Sequence, residues 1–122
     1  MLDTTVSKTE IDNLNSVVQK MYNQSKNAGW HDKERNEGEM LALIHAEISE
    51  ALEGIRKDLM DSHLPYRKST EVEMADAVIR IFDYCGMKGY DLGSAIAEKN
   101  EYNKNRLDHK REERQKEGGK KF

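Results

Sequence analysis

An all-α fold is predicted for this 122-residue chain by three features. Apolar residues recur at three- and four-residue spacing wherever the sequence has a regular pattern. No stretch alternates apolar and polar residues over a useful strand length, and the single proline falls between two helical patterns instead of inside one. Charged residues make up 35% of the chain and hydrophobic residues 36%, which suits a small helical protein with a modest core. The length allows one domain, expected over residues 1–107, followed by a charged tail over 108–122.

The first helix opens at Ser7-Lys8-Thr9-Glu10, a capping-box pattern, and carries Ile11, Leu14, Val18, Met21 and Tyr22 on one face. Asn27-Ala28-Gly29 ends it, and Gly29–Asp32 forms a loop. The second helix starts near Asn36, with Glu39 three positions later, and runs to about Met60. Its apolar stripe is Leu41, Ile44, Ile48, Leu52, Ile55 and Leu59. Asp61–Ser69 holds the proline and connects two helices. The third helix covers about Thr70–Met87 and stops at Gly86 and Gly89. Asp91 is the expected N-cap of a fourth helix over Leu92–Leu107.

The third helix has one narrow polar stripe, Glu73, Asp76, Arg80 and Asp83, and is apolar over roughly half its circumference. A chain of this size rarely covers so wide a face alone, so a partner subunit is expected. The lone Cys85 excludes an intrachain disulfide. No apolar run approaches the roughly 18 residues of a membrane span, and the N-terminus lacks the regions of a signal peptide. A cytoplasmic protein without membrane association is expected. Lys104–Phe122 carries eight Lys/Arg against four Asp/Glu, so the net charge of −3 leaves −7 on Met1–Asn103. A body this acidic argues against general nucleic-acid binding and suits metal ions.

Glu47 and Glu50 are three residues apart and therefore neighbours on the second helix, Glu47 at the edge of its apolar stripe and Glu50 just beyond. Glu73 and Asp76 repeat that spacing on the third helix. Packed antiparallel, the two helices could bring four carboxylates together, and all-oxygen donors select hard ions, Mg²⁺ or Mn²⁺. The plain alternative is a solvated acidic face, and Thr70-x-x-Glu73 could itself be a capping box that accounts for Glu73. Lys99, Asn103 and Arg106, at i, i+4 and i+7, could form a phosphate-binding row or belong to an exposed charged helix. Trp30 could stack on a base or cover the end of the core.

Glu47-x-x-Glu50, then 22 residues, then Glu73-x-x-Asp76, resembles the signature of the MazG-like all-α nucleoside triphosphate pyrophosphohydrolases. The blocks LALIHAEISEALEGIRK, EMADAVIRIFDYCG and AIAEKNEYNKNR extend the likeness to small phage and bacterial members over about Trp30–Arg106. The resemblance implies a four-helix bundle completed by dimerisation. It implies Mg²⁺ (or Mn²⁺) held by Glu47, Glu50, Glu73 and Asp76, with Glu47 or Glu50 also acting on the attacking water. Lys99, Asn103 and Arg106 would contact phosphates, and Trp30 would face the base, as in related deoxycytidine triphosphate pyrophosphatases. The implied reaction converts a (deoxy)nucleoside triphosphate to the monophosphate and pyrophosphate, a nucleotide-pool housecleaning role, in a dimer or a dimer of dimers. Where small members often end in His-Gly-Lys, this chain has Gly118-Gly119-Lys120, and His109 is no obvious substitute. A dimeric dUTPase or a phosphoribosyl-ATP pyrophosphohydrolase would use similar acids on a different substrate, and the alternative from another class is a non-catalytic helical dimer that binds nucleotide or only a partner protein.

Overall fold

The computed structural model describes residues 1–106 and 110–122. All regular structure among them is helical: α1 (Lys8–Asn27), α2 (Glu37–Arg56), α3 (Ser69–Lys88), α4 (Leu92–Lys104) and the short α5 (Arg111–Gln115). The expected boundary at 107/108 and His109 lie outside the described residues. No described helix is long and apolar enough to cross a membrane. The chain gathers into two compact units, one made of Met1–Asn15 with Asp91–Phe122, the other of Ser16–Tyr90.

Local capping chemistry sets the helix starts. The Ser7 hydroxyl accepts from the Glu10 amide at 3.1 Å while the Glu10 carboxylate accepts from the Ser7 amide at 3.0 Å, a complete capping box. Asn36 accepts from the Glu39 amide at 2.9 Å, and Asp91 from the Ser94 amide at 3.1 Å. Thr70 does not cap α3: the N-cap is Lys68, without a side-chain bond, and the Thr70 hydroxyl donates to the Ala51 carbonyl at 3.3 Å. Capping therefore does not explain Glu73.

Three helices end in one way, on a left-handed residue whose successor's N–H reaches five residues back. Gly29 (φ 89°) is followed by Trp30, bonded to the Ser25 carbonyl, and Gly89 (φ 69°) by Tyr90, bonded to that of Cys85. At the end of α2 the left-handed position is Asp58 (φ 48°), followed by Leu59, bonded to Gly54. That motif stops α2 at Arg56, four residues before the expected Met60, although Leu59 continues the apolar spacing. Gly86 does not stop α3. It sits inside the helix against Tyr22, where an added Cβ would lie 2.5 Å from the tyrosine Cβ. α4 ends at Lys104 with Asn105 as C-cap, and the expected end at Leu107 lies outside the described residues.

In the Ser16–Tyr90 unit α2 and α3 run antiparallel. Tyr84 donates to Glu37 at one end of the pair and Thr70 to Ala51 at the other. The link between them is tied by Asp61, a buried residue whose Oδ2 accepts from the amides of His63 and Leu64, and by a turn over Leu64–Arg67 with Pro65 second. In the other unit α4 packs on the start of α1: Asn15 donates to Asp91 at 2.7 Å and accepts from the Gly93 amide at 2.8 Å.

Candidate metal centre

The antiparallel pairing of α2 and α3 places Glu47 opposite Glu73 and Asp76. One carboxylate oxygen from each lies within 4.8 Å of the others. All three side chains are half-buried, so water cannot solvate them independently. Glu73 shows the strain of this crowding. A hydrogen bond to Glu47 that requires a proton, burial, and the nearby Glu50 together push its pKa up to about 8. Asp76 is raised too, first by burial and then by the charge of Glu47. Burial acts to raise Glu47 as well, but its hydrogen bonds to Glu73 and Arg80 hold it below the usual carboxylate range.

The set could hold a metal ion. Its donors are all carboxylate oxygens, and Glu73 Oε2 is buried without a hydrogen-bond partner, a costly state that a cation would relieve. Glu50, the fourth acid expected here, stands outside this group of three. It is exposed at the edge and acts on Glu73 through its charge and a hydrogen bond.

Glu47 and Asp76 open onto a cavity of about 990 Å³, whose wall also includes Trp30, Arg35, Arg80 and Asp83. That is the upper end of the roughly 300–1,000 Å³ usual for small-molecule sites. Trp30 follows the left-handed turn at Gly29 and is 65% exposed, so it does not close a core. The Arg35 guanidinium stands 5.8 Å from its ring centroid.

Spacing alone missed the clamp that holds this wall. Asp83, 8% exposed, accepts from Ser25 Oγ at 2.9 Å and from Arg35 Nη1 at 3.1 Å, and it pairs with His31 Nε2 at 2.7 Å. His31 in turn meets the Tyr22 ring edge-on at 5.0 Å. One carboxylate thus fastens the end of α1 and the loop bearing Trp30 to α3. The sequence signal was present, since Asp83 lies seven residues beyond Asp76 on the same stripe, but spacing does not say which segment lies opposite.

Lys99 and Asn103 lie on α4 and Arg106 just past its end, in the unit formed by the two termini. The helical row of three is therefore cut before its last member. Lys99 Nζ stands 4.6 Å over the Tyr102 ring, and Asn103 Oδ1 is buried without a hydrogen-bond partner. Comparison of the chain with known protein families, characterised proteins and solved structures gives no match.

Proposed function

We propose that the protein is a Mg²⁺-dependent, MazG-like hydrolase that converts a (deoxy)nucleoside triphosphate to the monophosphate and pyrophosphate. It would act in the cytoplasm as a homo-oligomer. The observation that carries this reading is the meeting of Glu47, Glu73 and Asp76 at a cavity faced by an exposed tryptophan. An all-carboxylate set suits Mg²⁺ or Mn²⁺, and an aromatic face suits a nucleobase. The long resemblance in sequence supplies the reaction.

Glu47, Glu73 and Asp76 would hold the ion, with Glu50 beside them. When bound, Mg²⁺ would supply charge neutralisation for the polyphosphate and acidity for a water molecule. Glu47 or Glu50 would orient that water or take its proton, and Trp30 would stack against the base. The assignment of Lys99, Asn103 and Arg106 to phosphate contact comes from the resemblance alone.

The test is pyrophosphate release from a panel of canonical and modified (d)NTPs with and without Mg²⁺. Mg²⁺-dependent release from one or a few of them is expected, falling roughly 100-fold or more in Asp76→Asn. A folded, metal-loaded protein silent across the panel would sink the proposal.

A further inference from the structure

Arg80 belongs to no expected set of site residues, yet it is the cation the acidic group itself engages. Its Nε donates to Glu47 Oε1 at 2.9 Å. The pair is asymmetric, because the Glu47 side chain is 12% exposed and that of Arg80 is 39% exposed. The guanidinium therefore reaches Glu47 from the open side, and both residues line the cavity with Asp76, one helical turn before Arg80 on α3. A cation bound among Glu47, Glu73 and Asp76 would compete with Arg80 for Glu47 and repel it. A guanidinium released there is flexible, permanently charged and shaped to take two phosphate oxygens.

We propose that Arg80 exchanges partners: it holds Glu47 while the metal is absent and binds phosphate oxygens of the substrate once the metal is present. This role rests on the metal-dependent nucleotide reading above. It makes Arg80 a substrate-binding residue that opposes metal entry, and these two consequences have opposite signs.

The experiment measures both signs without turnover, in the wild type, Arg80→Gln and Arg80→Lys. Mn²⁺ binding to the nucleotide-free protein is followed by electron paramagnetic resonance. Binding of a triphosphate non-hydrolysable at its α–β bridge, with Mn²⁺ saturating, is followed through the fluorescence of Trp30, the sole tryptophan. Loss of a partly exposed ion pair should tighten Mn²⁺ binding about threefold in Arg80→Gln. Loss of a charge-assisted phosphate contact should weaken the triphosphate roughly 10- to 100-fold. Arg80→Lys, which keeps the charge and loses the fork, should fall between.

Unchanged or weaker Mn²⁺ binding in Arg80→Gln would overturn the competition with metal. Unchanged triphosphate affinity in that variant would overturn the phosphate role. A wild type that binds Mn²⁺ but no triphosphate would overturn the functional reading together with this one, an outcome visible before any variant is made. Should Arg80→Gln not fold, a triphosphate affinity in Arg80→Lys equal to the wild type's would overturn the phosphate role by itself.

Discussion

Glu73 is the residue at which stability and metal binding pull against each other. Its pKa of about 8 lies above its ordinary 4.5, so the folded state keeps a proton that the unfolded chain gives up earlier. The contribution of this group to stability is therefore whole below about pH 4.5 and is lost as pH rises through about 8. Other carboxyls, such as Glu10 and Asp91, are held low by hydrogen bonds to Ser7 and Asn15 and give the opposite slope, so the informative quantity is a difference between variants. Metal-free Glu73→Gln should match the wild type near pH 5 and exceed it near pH 8 by about 2–4 kcal/mol, read as Tm. Addition of Mg²⁺ should raise the Tm of the wild type, increasingly so toward pH 8, and leave Glu73→Gln unmoved. Equal response of both proteins to Mg²⁺ would remove Glu73 from the metal set.

The helices themselves were legible wherever one side chain determines one backbone bond. Ser7 with Glu10, Asn36 with Glu39, and Asp91 with Ser94 each mark a helix start by chemistry confined to four residues. The end of α2 was illegible because Asp58 takes a left-handed conformation that costs a residue with a Cβ about 1–2 kcal/mol, while the apolar spacing runs on through it. Replacing Asp58 by glycine should accordingly stabilise the fold by about 0.5–1 kcal/mol in denaturant unfolding. A loss of stability would show that the Asp58 carboxylate's ion pair with Lys68 outweighs the backbone cost. The same limit applies to the site. Helical spacing put Glu47 at the edge of the α2 stripe with Glu50 just beyond it, and Glu73 beside Asp76, but whether the two pairs meet, and which acids close the cluster, depends on how α2 is rotated against α3. That rotation leaves Glu50 exposed. Likewise, nothing in the order of residues says that Asp83 meets Ser25, His31 and Arg35.

At the scale of the whole molecule, the wide apolar face expected of α3 is exposed at Met74 and Val78, and α2 exposes Leu41, Ile48, Leu52 and Ile55. Among the described residues, the small or slender side chains Val18, Ala51 and Ala77 join Met40 and Cys85 in the buried core. Self-association through the α2 and α3 face should give a dimer or a dimer of dimers by light scattering, and Leu52→Glu should shift it toward smaller species with its helical content retained. A wild-type monomer at every concentration would refute it. The Asp83 clamp carries a different kind of consequence, one of time. It joins α3 to residues 48 to 58 positions away, whereas α2 and α3 meet across a short, tied link. Closing the longer loop costs more chain entropy, so the α2–α3 hairpin should form first and the tryptophan-bearing segment should lock down after the folding barrier is crossed. In stopped-flow experiments Asp83→Asn should then unfold faster while refolding at nearly the wild-type rate. The wall that would face a base would thus be the last part of this unit to assemble and the first to open.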